Sequence, residues 1–332
     1  MRVALAVIFA FLGCGINQVV LELLVKDNPH GGNLVTFCQF FFIAIEGIIF
    51  TSKFGKEPRK ISIKAYFIMT VMFFVVSIFN NLAFSFKIPM PLHMIFRSGT
   101  LITNMIMGIV ILKKEYPLYK YLSVLMVTVG IIICTLLSGK EVKSEQREDS
   151  TVTGFSDIFW WSIGIIMLTV ALLISGRMGI YQETLYKRYG KHSKEAMFYT
   201  HLLPLPLFTL LSKDLYDQAL VAWNSPTINV PFTSFDIPRM IVYLIGNVIS
   251  QYMCISSIFI LTTECTSLTV TLIVTLRKFT SLVLSILYFN YDFTIYHWFG
   301  TMLVFTGTIL FTEVVPKIKN ALMSKDKVKK IE

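Results

Sequence analysis

Residues 265–289, CTSLTVTLIVTLRKFTSLVLSILYF, form an apolar run long enough to cross a bilayer, yet Arg277 and Lys278 stand side by side near its middle. A cation at the centre of a membrane helix costs about 2.5–3.5 kcal/mol on insertion scales, so the pair must be offset by the fold or by an anion. Ser267, Thr271, Thr275, Lys278, Ser281 and Ser285 step by 4, 4, 3, 3 and 4, one stripe of a 3.6-residue helix, with Arg277 about 100° round from Lys278. The alternatives are pairing with an intramembrane acid, for which Glu22 and Glu46 are the candidates within apolar runs, or snorkelling to the surface. The pair stands about 12 residues, roughly 18 Å of helix, from either end of its run, which is too deep for snorkelling. A polar face carrying two fixed cations implies a place for an anion inside hydrocarbon. Arg offers a planar fork and Lys a mobile point charge, a combination suited to a diphosphate.

The rest of the chain fits a membrane setting. Hydrophobic residues make up 55% and charged residues 15%, with 28 Phe, and the mean hydropathy is +0.67; no water-facing surface can be built from that. Apolar runs of about 20 residues place ten spans at 3–25, 33–51, 64–86, 89–112, 117–138, 154–176, 195–212, 238–262, 265–289 and 294–314. The first run continues to Leu24, longer than the core of a cleaved signal peptide, so it reads as a span. The five cysteines, Cys14, Cys38, Cys134, Cys254 and Cys265, lie in or beside apolar runs without CxxC or metal spacing, so neither a disulfide framework nor a zinc site is expected.

The net charge of +10 belongs on loops rather than on nucleic acid. With the N-terminus cytosolic, twenty of the thirty Lys and Arg fall on the cytosolic side and seven on the other, with Arg97, Arg277 and Lys278 inside spans. Both termini are therefore expected in the cytosol. The polar segment 139–153 reads as a flexible linker between 1–138 and 154–314, and 315–332 as a basic tail. Residues 212–238, with Pro226, Pro231 and Pro238, read as an irregular lumenal loop.

The two halves repeat. Arg97-Ser98-Gly99-Thr100 aligns with Arg277-Lys278-Phe279-Thr280 at an offset of 180, and Glu115, Tyr119 and Gly130 meet Asp292, Tyr296 and Gly307 at 177. The fourth span has its own stripe of His93, Arg97, Thr100, Asn104 and Gly108. Since each unit has five spans, the second copy enters the membrane from the other side. The expected fold is all-α, ten transmembrane helices in a 5+5 inverted repeat with a midplane site.

Arg97 either joins that site or gates it by holding the fourth span on the ninth. Tyr199, Thr200 and His201, ahead of Pro204 and Pro206, can stack on and hydrogen-bond a planar ring, or can be an interfacial aromatic and a satisfied core histidine. Thr275 and Ser281 join the site through the polar stripe. Asn17, Gln18 and Glu22 in the first span can bind sugar hydroxyls or hold helices together. Asp214 and Asp217 form the one DxxD, away from the cationic helix, and read as a solvated face rather than as metal ligands.

The layout of spans, Met197-Phe198-Tyr199-Thr200-His201 and Val274-Thr275-Leu276-Arg277-Lys278-Phe279 resemble the nucleotide-sugar transporters of the drug/metabolite transporter superfamily, over most of the chain. Where GDP-mannose carriers have FYNN and GALNK, this chain has Phe198-Tyr199-Thr200-His201 and Thr275-Leu276-Arg277-Lys278, and Ile95-Phe96-Arg97 takes the place of an IFK. Without the asparagines that read guanine, the resemblance points to uracil and to solute carrier family 35, subfamily B. It implies exchange of a cytosolic UDP-sugar, UDP-N-acetylglucosamine or UDP-xylose, for lumenal UMP, with no cofactor and no catalytic residue. Arg277 and Lys278 would hold phosphates, with Tyr199, Thr200 and His201 near the base. Lys329-Lys330-Ile331-Glu332 fits a dilysine retrieval signal read by coat proteins in the Golgi or endoplasmic reticulum. The alternatives are a carrier of another phosphorylated or sulfated anion and a membrane glycosyl- or phosphotransferase.

Overall fold

The structure, a computed structural model, describes residues 2–86, 88–148, 154–190, 192–229, 236–264 and 267–312. Residues 149–153 of the expected linker and the tail with Lys329 and Lys330 lie outside the described residues. The first half comprises α1 (Arg2–Asp27), α2 (Gly32–Glu46) with a π-turn over Gly47–Thr51, α3 (Ile63–Phe84), α4 (Met90–Arg97), α5 (Thr100–Leu112) and α6 (Leu118–Glu148). The second comprises α7 (Gly154–Tyr189), α8 (Ser193–Leu202), a 3₁₀ helix (Leu205–Leu211), α9 (Ser212–Trp223), a two-strand hairpin of β1 (Thr227–Asn229) and β2 (Asp236–Pro238), α10 (Arg239–Glu264), α11 (Ser267–Phe289) and α12 (Ile295–Phe311).

Helices that are apolar all round are stable only with lipid outside, where each backbone group is satisfied within its own helix. Seven helical stretches among the described residues are long and apolar enough to cross a membrane, and α12 is a shorter apolar helix. Their outer faces carry exposed Ile8, Leu12, Phe41, Phe67, Leu125, Ile166 and Ile245, the belt expected against acyl chains. Proline marks the breaks. Pro89 and Pro91 open α4, and Pro204 and Pro206 end α8 and tighten the chain into the 3₁₀ helix.

Three local readings change. The fourth span is not one rod, because Ser98 and Gly99 form a turn between α4 and α5 immediately after Arg97. Segment 212–238 is not irregular, for it begins with α9 and closes with the hairpin, where Thr227 pairs with Pro238 and Asn229 with Asp236. Cys14 and Cys254 form a disulfide across α1 and α10 with Cα atoms 4.8 Å apart, against the expectation of none. The two cysteines are 240 residues apart, and only the packing of α1 on α10 brings them together. In addition, α6 continues as helix to Glu148, since Lys140–Glu148 is rich in good helix formers.

Contacts between the halves are reciprocal. α1 packs on α10 and α3 on α7, while α2 meets α8, α4 meets α11 and α6 meets α12. At the α6–α12 crossing, a Cβ on Gly130 would lie 2.5 Å from the Gly300 carbonyl and 2.7 Å from Val304, and one on Gly307 would lie 2.7 Å from the Ser123 carbonyl and 2.9 Å from Val127. Those partners are related by the offset of 177 seen in the sequence. The same offset relates Lys113 and Asn290, both left-handed at φ 52° and 50°, which terminate α5 and α11.

Candidate functional site

The cations converge on one cavity. It has a volume of about 550 Å³ and is lined from the middles of α1, α7, α10 and α11 and from parts of α2, α3 and α4 toward the end where α9 sits. Arg97, Arg277 and Lys278 all face it, and no carboxylate lines it among the described residues. Arg97 and Lys278 present their surface to this enclosed space, whereas Arg277 is half-buried. The turn at Ser98-Gly99 lets α4 end there, so Arg97 reaches the cavity that Arg277 also lines.

Around the cations stands a ring of amides and hydroxyls. Gln18, Gln39, Asn80, Asn81, Ser175 and Gln251 line the cavity, with Thr36, Ser77, Thr100 and Ser281 between them. Two donors are unused, since Gln18 Nε2 and Arg277 Nε are buried without a partner, and His93 Nε2 is likewise buried and unpartnered. Arg277 does donate from Nη1 to Cys254 Sγ at 3.0 Å, which aims the guanidinium along the α1–α10 wall. A surface of orphaned donors and cations without carboxylate partners is chemically suited to an anion with many acceptor oxygens.

The expected site residues divide. Arg97, Arg277, Lys278, Ser281, Asn17, Gln18 and His201 line the cavity. Asn17 also holds helices together, donating to Asn247 O at 2.9 Å and to Ser250 Oγ at 3.4 Å on α10. Thr275 is buried on α11 and outside the lining. Glu22 is buried one turn beyond Gln18, where it accepts from the hydroxyls of Ser285 and Tyr291 and ties α1 to the end of α11. Burial, with Glu22 beside it, holds the Tyr291 phenol above its ordinary range. Thr200 donates back to Ala196 O at 2.7 Å, and Tyr199 stacks on Tyr66 at 5.0 Å and faces a different cavity.

His201 sits in an aromatic recess. Its ring meets Phe40 edge-on at 4.8 Å and Phe73 at 5.6 Å, and Phe40 stacks on Phe73 at 5.3 Å. Nδ1 lies 2.7 Å from Met197 O, which can only accept, so Nδ1 carries the proton and a neutral imidazole leaves Nε2 as an acceptor. Phe40, Phe73, Gln39, Asn80, Asn81 and Gln251 were not singled out by sequence reasoning. They lie within apolar runs with no helical stripe of their own, and only the stripe through His93, Arg97 and Thr100 signalled that face.

Residues 2–315 match the model of the UAA transporter family. The chain is 55% identical over 334 residues to a zebrafish (Danio rerio) protein named UDP-xylose and UDP-N-acetylglucosamine transporter, covering all of both chains. It is 56% identical over 314 residues to the human nucleotide sugar transporter SLC35B4, covering 95% of each chain. A Drosophila melanogaster protein named endoplasmic reticulum GDP-fucose transporter is 52% identical over 327 residues, covering 97% of this chain and 93% of the relative.

Proposed function

This chain belongs to the UAA transporter family, and from that we propose that it carries UDP-sugars, UDP-N-acetylglucosamine or UDP-xylose, from the cytosol into the lumen of the Golgi or endoplasmic reticulum in exchange for UMP. The observation that carries this reading is a cavity lined by three cations and no carboxylate among the described residues. Arg277 and Lys278 take the diphosphate, the guanidinium as a fork and the ammonium as a point charge, while Arg97 closes on it from α4. His201 Nε2 accepts the uracil N3–H, and the Phe40–Phe73 pair walls the ring. Tyr199 and Thr200 act from behind His201, fixing α8, and Thr275 and Glu22 brace α11. Asn17, Gln18 and Ser281 are left to meet the ribose and the sugar.

The ten-span inverted repeat is supported by the reciprocal contacts of the halves and by the matched Gly130 and Gly307. It puts the cavity where one half rocks against the other. The bias of Lys and Arg supports both termini in the cytosol, and the dilysine supports an early-secretory membrane through coat recognition. Exchange follows from charge. An occupied cavity has most of its charge offset by the phosphates, whereas an empty one carries three cations without a counter-charge through hydrocarbon and reorients slowly. In liposomes holding the purified protein, labelled UDP-sugar uptake should be fast with UMP preloaded and slow without it, and equal rates would overturn the exchange.

The Drosophila relative favours a second reading, in which the base is guanine. Competition between UMP and GMP for the same labelled uptake decides, with UMP expected to win.

A further inference from the structure

At the opposite end of α8 from His201 lies a second cavity of about 380 Å³, formed by the end of the π-turn, the 52–60 loop and the start of α8. Lys53, Arg59, Lys60, His192 and Lys194 line it, with Phe50, Phe198 and Tyr199 as its aromatic wall. Its two carboxylates are both engaged. Glu57 accepts from Lys53 Nζ at 2.7 Å, which holds its carboxyl below the usual range. Glu195 accepts from the backbone N–H of Lys60 and of Ile61, each at 3.1 Å, and from the Tyr66 hydroxyl at 3.0 Å. No carboxylate among the described residues pairs with the side chains of Arg59 or Lys60.

The Glu195 contacts have a further effect. By gripping two successive amides they fix the loop in place, so Arg59 and Lys60 belong to a shaped wall rather than to a loose strand. Behind that wall the chain is sealed: a Cβ on Gly47 would lie 2.2 Å from the Phe198 ring, so the π-turn and α8 touch with no side chain between them. Tyr199 faces this cavity and His201, two residues on, faces the central one.

We infer that this is a second anion site, taking a phosphate ester through Arg59 and Lys60, on the far side of the Gly47–Phe198 seal from the central cavity. It does not depend on what the central cavity carries. The phosphate can come from a soluble nucleotide or from a phosphoinositide headgroup, since both offer the same oxygens.

The test counts inorganic pyrophosphate bound to the full-length protein in phosphatidylcholine nanodiscs by calorimetry. Two equivalents are expected for the wild type, and one each for Arg59→Gln/Lys60→Gln and for Arg277→Gln/Lys278→Gln. The weakening at the altered site should be about tenfold or more. Arg59→Lys/Lys60→Arg, which keeps the charge, should restore two. Nanodiscs with phosphatidylinositol 4-phosphate then separate the sources: one equivalent means that the lipid headgroup fills the outer site, and two mean a soluble ligand. If Arg59→Gln/Lys60→Gln binds with wild-type number and affinity, the outer site is refuted. If only the Arg277→Gln/Lys278→Gln variant behaves as wild type, the central reading fails while the outer site stands.

Discussion

Arg277, Lys278 and Arg97 line one cavity, and the contribution of each is measurable. Arg277→Ala and Lys278→Ala should each weaken UMP binding in detergent by about 10- to 100-fold, since hydrogen bonds to charged groups contribute about 1.5–3 kcal/mol. Arg97→Ala should do the same. A lowered melting temperature with unchanged UMP affinity would instead mean that Arg97 holds α4 on α11. His201→Phe keeps an aromatic ring and removes the acceptor, so UMP affinity should fall about tenfold or more while pyrophosphate binding stays as it was. The cations were legible in the sequence because their cost in hydrocarbon stands out against any background. His201 was legible as a ring that could serve a base. Its fixed tautomer was not, because Met197 O belongs to the backbone and carries no sequence signal. Tyr199 and Thr200 show the converse. Neighbours in sequence point to different sides of a helix, and the two residues beside His201 do not share its cavity.

Among the elements, α9 shows how a helix can hide between prolines. Tyr216, Leu220 and Trp223 form an outward stripe at i, i+4 and i+7, whereas Asp214, Gln218 and Ala222 face the bundle. Asp214 accepts from Asn33 at 2.9 Å, Asn28 donates to Gln218 at 2.6 Å, and Asn33 accepts in turn from Asn81 at 3.2 Å on the cavity wall. The two acids of the DxxD therefore have different roles. Asp214→Ala should cost about 1–3 kcal/mol by leaving Asn33 without its acceptor, read as a lower melting temperature. Asp217→Ala, at an exposed position, should stay within about 0.5 kcal/mol. Tyr216 and Trp223 are placed as amphipathic rings sit at a membrane surface, so Trp223 fluorescence should be quenched by lipids brominated near the headgroup. The long apolar helices were legible from length and hydropathy alone. The turn at Ser98-Gly99 was not, since two small residues inside an apolar run are compatible with continuous helix. The disulfide depends on tertiary packing and was equally invisible; peptide mapping without reductant should recover Cys14 joined to Cys254.

At the scale of the whole molecule, the main contacts between the two halves come in matched pairs, α1 on α10 with α3 on α7, as in the interface of a symmetric dimer. The proposed repeat rests on the Arg97 and Arg277 motifs, and the pairing of helices between the halves was not legible, because sequence offsets say which residues correspond and nothing about which ones touch. Gly130→Val and Gly307→Val should each destabilise the protein by about 1–3 kcal/mol or more through overpacking, and by similar amounts, since each meets the image of the other's neighbours. That arrangement also governs how damage can be repaired. A second change that relieves Gly130→Val is expected at Val304, whose side chain can be trimmed, in the other half, and one that relieves Gly307→Val at Val127. Suppressors will cross from one half of the gene to the other, and neither half is free to drift alone.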